Sequence, residues 1–421
     1  MDDEILRWSV VGSSEVHRLP GPLRSHAPRD EKDDEQRADA ERLEVVMRQR
    51  TSPPPFHGQP PRIWLHAELF ICGRFSDFEA QCPQSGQHSV GAAAVLNPLR
   101  DDASAHKNAN IWKISPNGTG LAALTNGTAL GADSQAPRWS PDGASVVFHS
   151  SRKLDGTDAA NSNLTRNIWR VNADGTNLRR VTSATAANAD SLLPVWSPDV
   201  TKIVFDSSRK LDGTDAGSNI ANVWRVNADG TNLVAITRTT VISNFDPRWS
   251  PDGTKVLFYS SRALDGTDTA PMPLVSNLWQ VNADGTGLRP LTNSTAHGAD
   301  NFSGQWSPDG SKIVFASSRR LDGTDAPNAN GTTNIWRVNS DGTGLTPLTR
   351  ATTTDAGSGS PVWSHDGTKI VFVSSRNPDG TDSQAPNFTF NIWLVNADGT
   401  ELTPVTTTTS GADSAFPSFG P

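Results

Sequence analysis

Two interleaved ladders of tryptophan run through this 421-residue chain with a nearly fixed step. Trp139, Trp196, Trp249, Trp306 and Trp363 each open a Trp-Ser-(Pro/His)-Asp segment. Trp112, Trp169, Trp224, Trp279, Trp336 and Trp393 each follow an Asn and an aliphatic residue. Steps within both ladders are 53 to 57 residues, so one unit recurs from about residue 90 to the end. Such a unit must stack on copies of itself to bury its apolar surface, as solenoids, propellers and arrays do.

Within the unit the pattern is that of four short strands. Trp306 opens a strand that Ser-Pro-Asp-Gly (307–310) turns back into Lys312-Ile313-Val314-Phe315. A long polar stretch leads to Asn334-Ile335-Trp336-Arg337-Val338, a turn at 339–343 and a last short strand ending at Leu348. Runs of four to six residues bounded by Asp-Gly are hairpin chemistry, because Gly supplies the positive φ that tight turns need. No sustained 3.6-residue period appears. The repeat region is predicted to be all-β.

Two of the four connections are fixed in length. First-strand Trp to second-strand Phe is 9 residues in all five units, and third-strand Trp to the last apolar residue of strand four is 12 in all six. The second–third connection and the link to the next unit vary by two residues. In an up-down-up-down blade the two fixed turns share one face and the two longer connections share the other. Binding is expected where the longer connections lie.

The ends of the repeat complement each other. Half a unit (110–125) precedes the five complete ones, and a first-strand remnant (415–419) follows them. A sixth blade built from both termini leaves no free sheet edge. Its second strand is expected near 90–95.

The motif Trp-Ser-Pro-Asp-Gly-x-Lys-Ile-Val-Phe-x-Ser-Ser-Arg, followed by Asn-Ile-Trp-x-Val-Asn-Ala-Asp-Gly-Thr-x-Leu and Leu-Thr, resembles the WD40-like (PD40) repeat of the TolB six-bladed β-propeller. The resemblance covers roughly residues 108–421. It implies a bacterial cell-envelope protein, periplasmic or secreted, whose propeller makes protein–protein contacts. Related propellers gate prolyl-oligopeptidase-type serine peptidases, and others are lyases or lactonases, so the fold does not choose among activities. TolB carries an α/β domain ahead of its propeller, and residues 1–88 do not look like one. They read as an irregular, disordered segment, with Pro-rich patches around a charged run that allows one short helix over 31–50. The propeller is assigned to 89–421.

Met1-Asp2-Asp3-Glu4 is acidic and no apolar core follows it, so no signal peptide is read at Met1, and a cytoplasmic location stays open beside the envelope one. No apolar run reaches the length of a membrane span. A net charge of −8 argues against nucleic acid. Cys72 and Cys82 both precede the repeats and leave the compartment open. A monomer is expected.

Candidate chemistry rests on Asp and Arg. Within the repeats His149, His297 and His365 are scattered, and no Gly-x-Ser-x-Gly or His-Glu-x-x-His occurs, so no catalytic residue is assigned. Asn-Ala-Asp-Gly-Thr, as at 172–176, resembles half a calcium loop but lacks its Glu and reads as a turn. On the long-connection face Arg152, Arg209, Arg262, Arg319 and Arg376 each precede an Asp-Gly-Thr-Asp run ending in Asp158, Asp215, Asp268, Asp325 and Asp382. Arg–carboxylate pairing that orders the loop is the simplest account, and weak Ca2+ binding is the functional one; otherwise no cofactor is implied.

A third set lies in the links. Asp133, Asp190, Asp300 and Asp413 each stand six residues before the first-strand aromatic, and Asp246 and Asp355 fall near that point in the other two units. They are predicted to ring the mouth of the channel, where one sign of charge focuses a negative potential for a cation or a basic partner. The expected function is therefore a non-enzymatic, six-bladed propeller binding a protein or peptide over this face. The alternative is a lyase or lactonase with its site at the channel mouth, or the substrate-gating half of a serine peptidase.

Overall fold

The computed structural model describes residues 109–114, 120–212, 214–385 and 389–408, together with the backbone of three strands before them, Leu6–Val11, Arg42–Met47 and Ala94–Leu96. From residue 94 onward the described residues form six antiparallel sheets in chain order. The first holds Ala94–Leu96, Trp112–Ile114 and Ala122–Ala123. Each of the next five holds four strands in sequential order, opening at Ser134–Trp139, Ser191–Trp196, Asn244–Trp249, Asn301–Trp306 and Ser358–Trp363. First strands of successive sheets pack on one another, while each fourth strand keeps to its own third strand. The sheets are blades arranged with their first strands innermost, and the fold is a six-bladed β-propeller.

Pattern explains the blade. In the fifth blade Ile313, Val314, Phe315 and Ala316 of the second strand are all fully buried, because both faces of a central strand are covered. Phe315 pairs directly with Trp336 of the third strand, and the same Phe–Trp pair recurs at 148/169, 205/224, 258/279 and 372/393. Side chains on the opposite face of a strand serve the next blade. Val147, Ile168 and Val181 of the second blade join Trp196, Ile203, Phe205 and Trp224 of the third in one cluster. Each seam is thus a core, and no blade can be removed without exposing one. At roughly 1.5–3 kcal/mol per large apolar side chain buried, these seams dominate the stability.

Turn chemistry fixes the two invariant spacings. The Ser307 hydroxyl donates to Asp309 Oδ1 at 2.6 Å and the Ser311 N–H donates to the same oxygen at 2.9 Å, while Gly310 adopts φ 69. In the third–fourth turn Asp341 Oδ1 accepts the Thr343 N–H at 2.9 Å and its hydroxyl at 2.7 Å. An Asp that bonds the backbone two residues on closes a turn without extra length.

Every first strand of the five four-stranded blades carries a bulge. The register shifts between Gln135 and Arg138, Leu192 and Val195, Phe245 and Arg248, Phe302 and Gln305, and Gly359 and Val362. Inside it, Ala136, Leu193, Asp246, Ser303 and Ser360 take positive φ between 49 and 55. At the opposite edge the fourth strands are only two residues long, and three contain proline: Pro290, Pro347 and Pro404.

The second strand of the first blade, expected near 90–95, is found later in the chain, as Ala94–Leu96 paired with Trp112–Ile114. The closing strand expected at 415–419 lies outside the described residues, as does the 88/89 boundary. In the N-terminal segment one expectation is corrected. Arg42–Met47 is not helical but pairs antiparallel with Leu6–Val11; the rest of 31–50 lies outside the described residues. Val45 and Val46 lie in that strand, and β-branched residues favour it. The chain divides into two compact units, Met1–Trp64 with Arg100–Lys107 and Leu65–Leu99 with Asn108–Pro421.

Candidate functional site

The repeated Arg residues do not project from the long-connection face; they are part of it. Arg152, Arg262, Arg319 and Arg376 are buried and Arg209 half-buried, each leaving the second strand beside the third-strand Trp. Guanidinium carbons lie 5.7 Å from the ring centre of Trp169 for Arg152, 5.8 Å from Trp224 for Arg209, 5.5 Å from Trp279 for Arg262 and 6.0 Å from Trp393 for Arg376. Arg319 instead donates to Ser294 Oγ at 2.6 Å. Burial pulls each guanidinium pKa down, and the following loop Asp opposes it. Among these pairs one comes within ion-pair distance, Arg376 and Asp382 at 3.7 Å. A desolvated cation over Trp contributes roughly 2 kcal/mol, so these arginines brace the loops.

The Asp partners clamp the preceding link. Asp158 accepts Thr128 N–H at 2.8 Å and its hydroxyl at 2.5 Å, and Asp325 accepts the same two groups of Thr295 at 2.9 and 2.5 Å. Asp215 does so with Thr185, Asp268 with Thr240 and Asp382 with Thr352. For Asp158, Asp268 and Asp325 burial raises the pKa but these hydrogen bonds outweigh it, and the carboxyls stay below the usual range. The Arg–carboxylate pairing expected from sequence is therefore secondary to Arg–Trp and Asp–Thr contacts.

The six Asp expected at the channel mouth divide into three kinds. Asp133, Asp190 and Asp300 are equivalent: Oδ1 of each accepts a backbone N–H where the preceding blade enters its third strand, from Ala109 at 2.8 Å, Arg166 at 2.7 Å and Ser276 at 2.8 Å. Asp246 is not a link residue. The link into the fourth blade is two residues shorter, Ser243 takes the equivalent place by accepting the Ala221 N–H at 3.1 Å, and Asp246 falls on the first-strand bulge. There it pairs with Arg248 at 2.7 Å. Asp355 occupies a positive-φ turn where Gly131, Asn188 and Gly298 stand in other links. Its carbonyl accepts the Ser375 hydroxyl, as those carbonyls accept Ser151, Ser208 and Ser318. Asp413 lies outside the described residues.

Sequence reasoning missed a second row of charges on the short-turn face. Lys113 Nζ donates to the Ala173 carbonyl of the next blade's turn at 2.6 Å, Arg170 to Ala228 at 3.2 Å, Arg225 to Ala283 at 2.7 Å and Arg337 to Ala397 at 2.5 Å. Where Gln280 holds this position, Arg289 reaches the carbonyls of Ser340 and Asp341 at 2.8 and 2.9 Å instead. The signal was a basic residue directly after the third-strand Trp.

Once the repeated charges are accounted for, residues that differ between blades stand out. Leu130, Leu164, Val241, Met272, Leu274 and Phe390 are exposed on the long connections, and Phe245 is exposed at their channel end. Of the other large apolar side chains exposed among the described residues, Leu121 directly precedes one fourth strand and Val405 directly follows another. Leu164 lies against Gly131, beside Leu130: a Cβ at Gly131 would stand 3.0 Å from Leu164 Cδ2. Second-strand position five is His149, Asp206, Tyr259, Ala316 and Val373. Burial first and Arg166 second push His149 down to about 3, so its buried ring is neutral.

No family model matches the chain. It is 26% identical over 231 residues to the uncharacterized protein Atu1656 of Agrobacterium fabrum, covering 55% of this chain and 69% of that one. It is 27% identical over 137 residues to the uncharacterized peptidase YuxL of Bacillus subtilis, covering 32% of this chain and only 18% of the peptidase. Among solved structures, the β-propeller domain of the Trilobed protease from Pyrococcus furiosus aligns with TM-score 0.50 at 12% identity, covering 79% of this chain and 84% of that one. Oligogalacturonate lyase from Vibrio parahaemolyticus aligns with TM-score 0.50 at 15% identity, covering 82% of both chains. A structure assigned as TolB from Agrobacterium tumefaciens aligns with TM-score 0.46 at 20% identity over 68% of this chain and 84% of its own. Among the described residues no helix is long and apolar enough to cross a membrane. Repeat, blade topology and structural likeness agree on the architecture: the chain is a six-bladed β-propeller, a fold shared by enzymes and by binding modules.

Proposed function

We propose that this propeller is a non-catalytic binding module that holds a protein or peptide partner on its long-connection face and the adjoining end of the channel. The observation that carries this reading is the distribution of exposed apolar side chains. The short turns offer Asp, Gly and Thr, whereas Leu130 with Leu164, and Val241 with Met272 and Leu274, place apolar surface on the opposite face. Apolar anchors inside a polar rim are the usual energetic centre of a protein interface. Asp133, Asp190 and Asp300 use Oδ1 internally, and a basic partner side chain meeting the second oxygen would gain roughly 1.5–3 kcal/mol. The TolB-like repeat supports a cell-envelope setting.

The test is site-specific photo-cross-linking in the native host. A cross-linker at Met272 or Leu164 is expected to trap one defined partner, and the same group at Asp174 or Asp284 on the short turns is expected to trap none. With that partner purified, replacing Asp133, Asp190 and Asp300 together by Asn should weaken binding and flatten its salt dependence. Adducts confined to the short turns would reverse the assignment of the face. The stretch shared with the Bacillus peptidase supports a second reading, a gating domain for a catalytic partner chain. Under it, the trapped partner would be a hydrolase.

A further inference from the structure

One buried group at the seam between the third and fourth blades is used by none of the contacts above. Asp206, on the second strand of the third blade, is 3% exposed, and its Oδ1 has no hydrogen-bond partner among the described residues. Its strand neighbours Leu192 and Val223 are apolar. Charge reaches it across the seam, from Asp246 and Arg248 on the bulged first strand of the fourth blade, with the Tyr259 hydroxyl of that blade's second strand near both carboxyls. Arg225, on its own blade, is engaged by the Ala283 carbonyl. Asp246 and Arg248 pair at 2.7 Å with side chains only 16% and 12% exposed. Two carboxyls thus face one guanidinium in a partly dry seam, and a buried carboxylate with no bond to one oxygen is costly.

We propose that Asp206, Asp246 and Arg248 form a proton-operated latch at this seam. With a proton on Asp206 the seam closes around a single ion pair. When that proton leaves for solvent, two carboxylates compete for Arg248, and the positive-φ bulge that presents Phe245 to the channel loosens. Burial first and the Asp246 charge second push the Asp206 carboxyl up to about 8, so the change falls near neutral to mildly alkaline pH. The sign follows from linkage. A carboxyl whose folded value is raised binds its proton more tightly when folded, so its contribution is complete below the unfolded value and is lost as pH rises through about 8.

Tyr259 is the chain's single tyrosine, and its ring lies 5.7 Å from that of Phe245. Burial pushes its own hydroxyl up to about 12, clear of the Asp206 transition. Ring-13C-tyrosine therefore reports this seam alone. In the intact chain its signals should shift with a midpoint near 8. Asp206→Asn, a neutral isostere, should abolish that shift. It should also melt above the wild type at alkaline pH while matching it only below about pH 4. Arg248→Gln should move the midpoint up and Asp246→Asn should move it down, each by about one unit or more. If the tyrosine signals stay flat through this range, or Asp206→Asn keeps the same midpoint, the latch does not exist. Should Asp246→Asn fail to fold, the Asp206→Asn and Arg248→Gln comparison still decides.

Discussion

The two faces of this propeller use charge in opposite senses. On the short-turn face, cations reach forward, and Lys113, Arg170, Arg225 and Arg337 donate to carbonyls of the next blade. On the long-connection face, carboxylates reach back. Asp158, Asp215, Asp268, Asp325 and Asp382 accept from the preceding link, and Asp133, Asp190 and Asp300 accept from the preceding blade. Each choice satisfies backbone groups that four short strands leave over. A residue that recurs in every blade is thereby more often a fastener than a ligand contact. Under the proposed binding role, recognition is better sought where blades differ, at Met272, Leu274 and Phe245.

The comparison is broken most directly by removing space. Gly217 sits where the third blade's long hairpin crosses the preceding link, and an added Cβ would stand 2.3 Å from the Ala187 carbonyl oxygen and 2.4 Å from Asn188 C. Gly217→Ala should cost about 1–3 kcal/mol in urea or thermal unfolding, since backbone cannot step aside. Gly359→Ala, with nothing within 4 Å, should be close to neutral. Equal losses at the two sites would show that the long connections are no tighter than an open position.

Next come the fasteners. Asp325→Ala leaves the Thr295 and Ala296 N–H groups without their acceptor, and Arg225→Met keeps the stem but loses the bond to Ala283. Each should cost about 1–2 kcal/mol by equilibrium unfolding. Their double variant should be additive, because the two sites share no partner. Strong coupling between them would mean that the faces are not independent.

Smallest per residue is the response to acid. Hydrogen bonds to Thr hold Asp174, Asp229, Asp284, Asp341 and Asp398 below the ordinary value of 3.8 on the short turns, and Asp309 is held at about 2 by the Ser307 hydroxyl first. A carboxyl depressed in the folded state contributes above its unfolded value and loses that contribution as pH falls through the folded one. The melting temperature should therefore decline from about pH 4 downward, and Asp309→Asn should shorten the decline. A flat acid limb would remove the turn carboxylates from the account.

Much of this was legible in the sequence, for a stated reason. Blade-internal pairs lie close in sequence within the short hairpins, as Trp306 with Ile313 and Trp336 with Pro347, so period and turn chemistry display them, and both the all-β reading and the blade count follow. Seam contacts join residues far apart, Asp325 to Thr295 in one seam and Arg225 to Ala283 in another, and spacing alone cannot say who accepts from whom. The same limit misplaced Asp246. A link two residues shorter moved the equivalent role to Ser243 and put Asp246 on a bulge, beside a buried carboxyl that the second-strand pattern had already marked by breaking an apolar run.

The proline-bearing outer strands carry a consequence for the molecule in a crowded compartment. Pro290, Pro347 and Pro404 offer no N–H to a strand arriving from outside, and Arg179-Arg180 blunts the second blade's rim with charge. The rims at Ala122–Ala123 and Val234–Ala235 have neither protection. Lateral growth of one disc onto another, if heat or acid ever starts it, would begin at those two edges and stall at the other four. Most of the circumference is thus closed to polymerisation.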